Sequence, residues 1–428
     1  MMVLKNIQVC VVGLGYVGLP LARLFSTRYH TVGFDCNTSR IDALKAGHDS
    51  TGELSDEQVH ETLNNGLCLI SELSQLNKTS LHTVFIIAVP TPVDCDNRPD
   101  LKPLLEASRM VGAVLGKGDY VVYESTVYPG VTEEECVPML VDASGLRYNE
   151  DFFVGYSPER INPGDKEHTV ETICKVTSGS TAEAAEIIDA LYCSVLKNGT
   201  HRAPSIRVAE ASKIVENCQR DVNIAFMNEL AKIFGAMNID TGDVLDAAAS
   251  KWNFIRMKPG LVGGHCIGVD PYYLIEKAQV YGVLPRVMYN ARRLNDGMGD
   301  YVAQQLVKQM NLKGLRVKDA RILILGFSFK ENCPDTRNTK VADIYHTLVQ
   351  YTDRITVCDP NVDIERVYDE YGIKVVARLK DDDVFDAAVL SVAHVAFADL
   401  DIRKYVPEPG VVYDVKGFLP REVVTARL

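Results

Sequence analysis

The sequence has no paired cysteine spacing, no long apolar run and no excess of basic charge, and each absence excludes a class of protein. Its 11 cysteines form no C-x-x-C pair, which argues against a zinc site and a disulfide framework. No stretch reaches the roughly 18 apolar residues of a membrane span, and the N-terminus lacks a signal-peptide pattern. A formal net charge of -12 argues against binding nucleic acid or anionic membranes. We therefore expect a cytoplasmic protein with reduced thiols and no metal.

A length of 428 residues predicts several domains, because one ordinary core does not grow so large. Strand-like apolar runs alternate with helical patterns up to about residue 200, and the alternation resumes after about residue 320. Only helical periodicity lies between them. This predicts an α/β fold of two Rossmann-like doubly wound parallel-sheet domains joined by a long helical connector. We place the domains at residues 1–203, 204–312 and 313–428.

The individual elements follow from the same patterns. Apolar runs predict strands at residues 7–12, 31–35, 84–89, 120–123 and 174–177, and again at 321–326, 354–359, 387–392 and 411–414. Helical patterns predict helices at residues 19–25, 181–192, 205–235 and 284–310. The last two helices are long and carry apolar stripes, which indicates a homodimer through the central helices.

A glycine-rich turn follows the first predicted strand and precedes the first predicted helix. Glycine in such a turn lets the backbone approach a pyrophosphate, which then lies at the helix N-terminus. Strand, turn, helix and second strand occur in the order that a dinucleotide fold requires. We expect the turn residues Gly13, Gly15, Tyr16, Val17 and Gly18 to bind a dinucleotide.

The second predicted strand ends on Asp35, where dinucleotide folds place a carboxylate for the ribose hydroxyls. Because this carboxylate would repel a 2′-phosphate, NAD is favoured over NADP. Arg40 leaves NADP as an alternative, unless it borders the adenosine. Thr91 and Thr126 follow two further strands and are expected in the cofactor cleft, although a turn or capping role is the alternative for each.

The segment from Gly260 to Pro271 reads GLVGGHCIGVDP and places Cys266 among four glycines. Glycines remove side chains around a thiol and would let a carbonyl compound approach it, so Cys266 is a candidate nucleophile. Asp270 could handle protons or water. The alternative is that Cys266 is a small buried apolar residue, as most free cysteines are.

A proline-braced loop at residues 156–164 carries Glu159, Arg160 and Asn162. Glu159 is a candidate base or water-orienting group, and the alternative is an exposed loop carboxylate. In the helical connector, one helix face is predicted to hold Glu210, Lys213, Asn217 and Arg220. Apolar packing of this helix is predicted for Val208, Ala211, Ile214, Val215 and Cys218. Lysine and asparagine one turn apart would suit a developing oxyanion.

Seven motifs in one order make the chain similar to a known family. They are GLGYVGLP, VPTP, ESTVYPG, YSPERINPG, the segment from Glu210 to Asn217, GLVGGHCIGVDP and GFSFKENCPDTRN. Together they resemble the UDP-glucose and GDP-mannose dehydrogenases, the NAD-dependent four-electron nucleotide-sugar 6-dehydrogenases. The resemblance implies NAD on the first sheet, a UDP-sugar on the second, and a dimer through the long helix between them.

The resemblance also implies roles for single residues. Cys266 attacks the aldehyde formed from the sugar's primary alcohol, and oxidation of the thiohemiacetal with a second NAD gives a thioester that water releases as a uronate. Lys213 and Asn217 hold the oxyanion, Asp270 supports the cysteine or the hydrolytic step, and water and protons are handled by Thr126 and Glu159. The implied substrate contacts are Glu159, Arg160, Lys213, Asn217, Arg256, Gly263, Lys330 and Arg337.

The motifs YSPERINPGDKEH, SKWNF and KENCPDTRNT resemble the branch that acts on UDP-N-acetylhexosamines for surface polysaccharides such as capsule and O-antigen. UDP-N-acetylglucosamine is the first choice, and the galacto and manno epimers and UDP-glucose are alternatives. Trp252 is either an aromatic floor for sugar or base, or a core residue. Alternatives of a different class are a non-catalytic nucleotide-sugar-binding protein and a simple two-electron dehydrogenase.

Overall fold

The computed structural model describes residues 6–78, 82–94, 98–160, 170–264 and 267–428. The chain divides into two compact units, one of residues 1–216 and 272–281 and the other of residues 217–271 and 282–428. Each unit contains a six-stranded parallel sheet with helices beside it in the described part of the chain. The predicted fold class is therefore confirmed. The boundaries at 1–203, 204–312 and 313–428 stay a prediction.

The strands of the first sheet come from the N-terminal part of the chain. They are β1 Ile7–Val12, β2 His30–Phe34, β3 Cys68–Ile70, β4 His82–Ile87, β5 Tyr120–Tyr123 and β6 Phe153–Tyr156. Their spatial order is β3-β2-β1-β4-β5-β6. The order reverses between β1 and β4, so the carboxyl ends of these two strands border the crevice where doubly wound sheets bind ligands.

Both faces of this sheet are buried. Along β1, Val9 and Val11 join the apolar cluster on one face, and Cys10 and Val12 join the cluster on the other. A strand covered on both faces needs an unbroken apolar run, without the alternation of a half-exposed strand. This is why continuous apolar runs predicted the strands of this sheet.

The first unit continues with helices and a small second sheet. Its first helices are α1 Gly18–Ser26, α2 Thr38–Lys45, α3 Asp56–Asn64, α4 Lys102–Gly112 and α5 Val137–Ser144. After them follow β7 Lys175–Thr177, α6 Ala182–Cys193 and β8 Thr200–Arg202. Helix α6 begins where its sequence predicts, because the Thr181 hydroxyl accepts a hydrogen bond from the Ala184 amide.

Helices fill the middle of the chain, and no strand occurs between residues 205 and 320 in the part that the structure describes. The helices are α7 Ile206–Met237, α8 Thr241–Ala248, α9 Asp270–Val280, α10 Arg286–Asp296 and α11 Met298–Leu312. The prediction of one helix over residues 284–310 is wrong, because Gly297 separates α10 from α11. Glycine loses the most backbone freedom in a helix, which favours a break there. No described helix is long and apolar enough to cross a membrane.

The second unit holds a sheet of the same topology. Its strands are β9 Ile322–Leu325, β10 Ile355–Cys358, β11 Val375–Val376, β12 Ala387–Leu390, β13 Val411–Asp414 and β14 Ala426–Arg427. The helices among them are α12 Val341–Val349, α13 Ile364–Tyr371 and α14 Ile402–Tyr405. The spatial order β11-β10-β9-β12-β13-β14 repeats that of the first sheet. A crevice is therefore expected at the carboxyl ends of β9 and β12.

Every strand predicted from an apolar run is present, although β4 begins and ends two residues earlier than predicted. The sequence did not predict β3, β6, β8, β11 and β14. Each of these strands has at most four residues. Predicted strands such as β5 and β9 are as short, but their residues are continuously apolar, whereas β8 and β14 contain polar or charged residues.

A buried polar network joins α7 to α10 in the second unit. The side chains of Arg292 and Asp221 are each 1% exposed, and Arg292 Nη1 donates to Asp221 Oδ1. Asn295 Nδ2 donates to the same carboxylate oxygen at 2.8 Å, and Asn228 Nδ2 donates to Asn295 Oδ1 at 2.8 Å. Burial raises the pKa of Asp221, while the charge of Arg292 acts to lower it. The guanidinium therefore compensates a carboxylate that the interior would otherwise disfavour.

We expect Arg292→Met to destabilise the protein by about 3–5 kcal/mol, since it keeps the volume but leaves Asp221 buried without its cation. Urea and thermal unfolding followed by circular dichroism measure the loss. Arg293→Met is the matched control, because Arg293 is the next residue and is exposed. Equal losses in the two variants would contradict this account of the network.

Candidate active site

The three glycines of the loop between β1 and α1 have different surroundings. Gly13 has φ +91°, and a Cβ there would lie 2.9 Å from the Ala88 carbonyl oxygen. A Cβ on Gly18 would lie 1.8 Å from the Gly13 oxygen, whereas no protein atom lies within 4 Å of a Cβ on Gly15. Gly13 and Gly18 thus serve the turn and its packing, and Gly15 leaves space at the start of α1. That space fits a pyrophosphate at a helix N-terminus.

Asp35 lies directly after β2, as predicted, and its carboxylate is half-buried. Its Oδ2 accepts a hydrogen bond from the Leu14 amide, and its Oδ1 accepts one from the Asn37 amide, both at 2.9 Å. A carboxylate oxygen has two lone pairs, so both oxygens keep acceptor capacity for ribose hydroxyls. Tyr16 and Val17 are half-buried beside this loop.

Arg40 is buried and its guanidinium is bound to protein groups. Its Nε and Nη2 donate to the Leu14 carbonyl at 3.0 and 2.8 Å, and its Nη1 lies 2.7 Å from Asp49 Oδ1. Arg40 therefore braces the glycine loop through Leu14. Its charge is compensated by Asp49, which argues against recognition of a 2′-phosphate and in favour of NAD. A direct contact between Arg40 and the cofactor stays a prediction.

The loops after β4 and β5 are tied to each other at the carboxyl edge of the first sheet. Thr91 Oγ1 donates to the Thr126 carbonyl at 2.7 Å, and Ser125 Oγ donates to the Val89 carbonyl at 2.6 Å. The Tyr273 hydroxyl donates to the Thr91 carbonyl at 2.6 Å. The structure therefore brings Thr91 and Thr126 together, as expected for two residues that follow neighbouring strands.

Glu159 is only 8% exposed, so the alternative of an exposed loop carboxylate is wrong. The Arg160 amide donates to its Oε1, and Lys175 Nζ donates to its Oε2 at 3.3 Å. The Arg160 side chain is exposed and donates to Glu216 Oε2 at 2.9 Å. Asn162, predicted as a further polar group of this loop, lies outside the described residues. Sequence reasoning missed Lys175, whose only signal is a lysine within an apolar strand.

Glu210 on α7 is fully buried and anchors the loop after β5. Its Oε2 accepts a hydrogen bond from the Gly130 amide at 2.6 Å, and its Oε1 accepts one from the Thr132 amide at 2.9 Å. Burial raises the pKa of Glu210, and the two backbone hydrogen bonds oppose that rise. Glu210 therefore has a structural role, which is to hold the loop after β5. This role explains why a glutamate lies on α7 three residues before Lys213.

The predicted apolar packing of α7 is partly wrong. Ile214 and Cys218 are buried and Ala211 is half-buried, but Val208 is 46% exposed and Val215 is 54% exposed. The polar residues Glu210, Lys213 and Asn217 are buried, whereas Arg220 is exposed. Hydrogen bonds allow these polar groups to be buried, so the interior takes them in place of the two valines.

Asn217 and Asp270 lie together in the second unit. Asn217 Nδ2 donates to Asp270 Oδ2 at 2.5 Å, and both side chains are buried. A carboxylate can only accept, so the contact fixes which end of the amide faces Asp270. The second hydrogen of Nδ2 then has a defined direction. Such an amide is suited to donate to an oxyanion.

Cys266 and His265 lie outside the described residues, but the flanks of their loop are described. The Gly260 amide donates to Asn228 Oδ1 at 2.8 Å, and Asn228 Nδ2 donates to the Gly260 carbonyl at 3.0 Å. After the cysteine, the Ile267 carbonyl accepts a hydrogen bond from Arg292 at 3.4 Å. The polar network between α7 and α10 therefore holds both ends of the cysteine loop.

Two glycines of the cysteine loop are required by close packing against the loop after β9. A Cβ on Gly263 would lie 2.7 Å from the Asn338 carbonyl oxygen, and a Cβ on Gly264 would lie 2.8 Å from the Phe329 ring. Gly264 also has φ +83°, and its amide donates to the Arg337 carbonyl at 3.0 Å. These glycines make room for the loop after β9. The expectation that they also open space for a carbonyl compound stays a prediction.

Three of the predicted substrate contacts, Arg256, Lys330 and Arg337, lie at several places in the second unit. Arg337 pairs with Asp335, whose carboxylate accepts from its Nε and Nη2, and Lys330 is half-buried in the same loop. Arg256 is exposed and pairs with Asp246. A cavity of about 170 Å³ is lined by Arg256, Lys258 and Lys416 among others. Positive charge is therefore available locally in an acidic chain.

Asp359 occupies the position in the second sheet that Asp35 has in the first. It is fully buried, and its Oδ2 accepts hydrogen bonds from the Phe327 and Ser328 amides at 2.6 and 3.0 Å. His394 Nδ1 accepts from the Asn332 amide at 2.9 Å, so the ring proton sits on Nε2, which donates to Asp359 at 3.0 Å. Burial acts to raise the pKa of Asp359, but these hydrogen bonds prevail and lower it. Because Oδ2 of Asp359 already accepts these three hydrogen bonds inside the protein, it is not available to ribose hydroxyls.

Trp252 is 92% exposed, so the core-packing alternative for it is wrong. The Trp252 ring, which lies between α8 and the cysteine loop, is therefore open to solvent in the single chain. A role as an aromatic floor stays a prediction.

We expect Gly15→Val to weaken NAD binding at least about tenfold without loss of stability, because its side chain would fill only the space kept for the pyrophosphate. Fluorescence titration with NAD and a thermal melt measure the two properties. Gly18→Ala is the contrasting variant, since its Cβ would collide with the Gly13 carbonyl inside the protein. It should lower the melting temperature. Unchanged NAD affinity in a folded Gly15→Val protein would refute the assignment of the loop.

Comparison with known proteins shows which family the chain is similar to. Residues 7–196 match the NAD binding domain of the UDP-glucose/GDP-mannose dehydrogenase family, residues 207–297 its central domain and residues 323–421 its UDP binding domain. A UDP-N-acetyl-D-glucosamine 6-dehydrogenase of Pseudomonas aeruginosa is 53% identical over 428 residues, which cover 99% of this chain and 100% of that protein. One of Salmonella typhi is 51% identical and covers 99% of both chains.

Among solved structures, a UDP-D-ManNAc dehydrogenase from Pyrococcus horikoshii superposes with a TM-score of 0.86 at 29% identity and covers 98% of both chains. The resemblance drawn from the motifs is confirmed, and so are the enzyme class and the cofactor. The protein is an oxidoreductase that uses NAD, and its UDP binding domain supports a UDP-sugar as substrate. The chain belongs to the UDP-glucose/GDP-mannose dehydrogenase family.

Proposed function

We propose that the protein oxidises the 6-hydroxyl of a UDP-N-acetylhexosamine to the uronate, with UDP-N-acetylglucosamine as the first choice. The identity of 53% to the Pseudomonas aeruginosa enzyme over almost the whole chain carries this proposal. The product would enter surface polysaccharide synthesis, such as capsule or O-antigen. The galacto and manno epimers and UDP-glucose are the alternative substrates, since an epimer differs only in the orientation of one hydroxyl.

Cys266 is the proposed nucleophile. Its thiolate captures the aldehyde as a thiohemiacetal and later carries the acyl group as a thioester, so the reactive aldehyde does not escape. NAD, two per turnover, supplies the hydride acceptor for both oxidations. The network that holds Gly260 and Ile267 supports this role, because it fixes the two ends of the cysteine loop.

Lys213 and Asn217 are proposed to stabilise the oxyanion of the thiohemiacetal. Both side chains are buried, where an ammonium or amide donor acts more strongly than in water. The hydrogen bond from Asn217 to Asp270 supports the assignment, since it orients the amide before substrate binds. Asp270 is therefore proposed as the support of this donor, and through it of the cysteine chemistry.

Thr126 and Glu159 are proposed to act in hydrolysis. The oxygen of water bonds to the thioester carbonyl carbon, the carbon–sulfur bond breaks, and the sulfur leaves as a thiolate. One proton of the water passes to the Glu159 carboxylate, and the Thr126 hydroxyl orients the water. The hydrogen bonds from the Arg160 amide and from Lys175 support this role, because they orient the Glu159 carboxylate.

The substrate contacts are proposed at Arg160, Arg256, Gly263, Lys330 and Arg337, in addition to the groups named above. The cavity lined by Arg256, Lys258 and Lys416 offers positive charge for a diphosphate. Such local charge is needed, because the chain as a whole carries a net charge of -12. We propose a cytosolic location as well, where a reducing environment keeps the catalytic thiol free.

A homodimer through the central helices is also proposed. Phe226, Ile233 and Met237 on α7 are exposed and recur at a spacing that places them on one face of the helix. Exposed large apolar side chains in such a stripe are typical of a helix that packs against a partner. A two-fold dimer would bury the stripe against its own copy.

The substrate is tested by NADH yield on a panel of UDP-sugars. We expect two NADH per sugar with UDP-N-acetylglucosamine and lower kcat/KM for the galacto and manno epimers and for UDP-glucose. One NADH per sugar would indicate a two-electron dehydrogenase, and none would indicate a binding protein. A strong preference for UDP-glucose would overturn the substrate assignment.

Cys266→Ser is the control for the covalent pathway. We expect it to abolish uronate formation and to leave NAD affinity within about twofold of the wild type, since the serine hydroxyl is a far weaker nucleophile than a thiolate. Uronate formed by this variant at the wild-type rate would exclude the thioester.

The dimer is tested with Phe226→Glu and Ile233→Glu in one chain. We expect light scattering coupled to gel filtration to show a monomer, because two charges on each copy would have to be buried at the interface. Val349→Glu, an exposed apolar position on α12, is the matched control and should leave the mass unchanged. An unchanged mass for the double variant would reject this helix face as the interface.

A further inference from the structure

Lys175 lies between two carboxylates inside the first unit. Its Nζ donates to Glu124 Oε2 at 2.6 Å, to the Pro158 carbonyl at 3.0 Å and to Glu159 Oε2 at 3.3 Å. The side chains of Lys175 and Glu124 are fully buried, and that of Glu159 is 9% exposed. An ammonium has three hydrogens, so this lysine is saturated by these contacts.

The cluster has more negative than positive charge. Two carboxylates face one ammonium, and the Tyr192 hydroxyl donates to Glu124 Oε1 without adding charge. The charge of Glu159 also acts on Glu53. Among these three described side chains, the two carboxylates together carry one more charge than the ammonium when both are ionised. Buried charge of this kind is costly and is usually kept for a purpose.

Titration of the cluster follows from its burial. Burial raises the pKa of Glu124 to about 7, while Lys175 acts to lower it and Glu159 acts to raise it. Burial acts to lower the pKa of Lys175, but the two carboxylates outweigh it, and the pKa is raised. Lys175 therefore stays an ammonium, and Glu124 changes charge near neutral pH.

We propose that Lys175 is a positioning residue that holds Glu159 as an oriented carboxylate for thioester hydrolysis, and that Glu124 competes for the same ammonium. The inference rests on the proposed role of Glu159 in that step. Lys175 fixes one oxygen of Glu159, while the Arg160 amide holds the other. The strength of the attraction at Glu159 then depends on the charge of Glu124.

The proposal gives opposite signs for two substitutions. Lys175→Met removes the cation that favours the Glu159 carboxylate, so the acid limb of the hydrolysis rate should move to higher pH. Glu124→Gln removes the competing anion and keeps an oxygen for Lys175, so the acid limb should move to lower pH. If Lys175 had only a structural role, hydrolysis would be slower in both variants, and the acid limb would not move in opposite directions.

Single-turnover experiments with NAD and the best UDP-sugar of the panel measure the step. For Lys175→Met we expect the release of two NADH per active site to persist while hydrolysis slows roughly 10-fold to 100-fold. Intact-protein mass spectrometry should then detect an acyl adduct on Cys266. Lys78→Met is the matched control, because it breaks the 2.6 Å pair between Lys78 and Asp119 in the same unit. It should leave the pH profile unchanged.

Shifts in the same direction for Lys175→Met and Glu124→Gln, or no shift in either, would overturn the proposal. If Lys175→Met does not fold, Glu124→Gln is sufficient as a test. A shift of the acid limb of its hydrolysis rate to lower pH supports the proposal, and any other result overturns it. Glu159→Gln separates the two levels of inference. If Glu159→Gln releases two NADH at the wild-type rate and no acyl adduct accumulates, the role of Glu159 is rejected. If the wild-type protein itself releases only one NADH per sugar, the proposed function is rejected.

Discussion

Carboxylates that are buried or half-buried and accept hydrogen bonds from backbone amides hold the loops at the carboxyl ends of both sheets. Asp35 accepts from the amide of Leu14, Glu210 from the amides of Gly130 and Thr132, and Asp359 from two amides after β9. Loops at a sheet edge have amides that no neighbouring strand satisfies, and a buried amide without a partner is costly. A carboxylate offers several acceptor positions at once. The ligand-binding edge of each sheet depends on these contacts.

The two sheets use the same acid differently. Asp35 is half-buried, and its carboxylate oxygens can still accept hydrogen bonds from ribose hydroxyls. Arg40 donates to the Leu14 carbonyl of the glycine loop and pairs with Asp49. Asp359 is fully buried and accepts hydrogen bonds from His394 and from three backbone amides, so it serves to hold the adjacent loops. The same strand order therefore supports two kinds of nucleotide site. The difference lies in the burial of one carboxylate and in whether a histidine replaces the ribose as its partner.

Much of the fold could be predicted from the sequence, because strands buried on both faces need continuous apolar runs and such runs are visible. The turn at Gly13 to Gly18 and the acid at Asp35 were predicted for the same reason, since their spacing is fixed by the first turn of the fold. The break at Gly297 was missed because the apolar pattern continues across it. Pattern alone does not show whether a glycine interrupts a helix.

The candidate site was predictable where residues are close in the chain and not where the fold brings them together. Asn217 and Asp270 were each predicted, but their contact joins segments far apart in sequence. Lys175 was missed because a lysine in a strand is usually exposed on an edge, and only the position of Glu124 and Glu159 explains its burial. Val208 and Val215 were placed inside because they are apolar, although hydrogen bonding allowed polar residues to take the interior.

Four-electron oxidation at one thiol sets two requirements that conflict. In the proposed mechanism the thiohemiacetal must last until the second oxidation converts it to a thioester, which argues for excluding water. The thioester must then be hydrolysed, which requires a base within a nearly dry interior. An isolated buried carboxylate would take up a proton and lose its function as a base. The ammonium of Lys175 lies beside Glu159 and offers the compensating charge that a buried carboxylate needs. Glu124 accepts a hydrogen bond from the same ammonium, so in the proposed step Lys175 shares its charge between the two carboxylates.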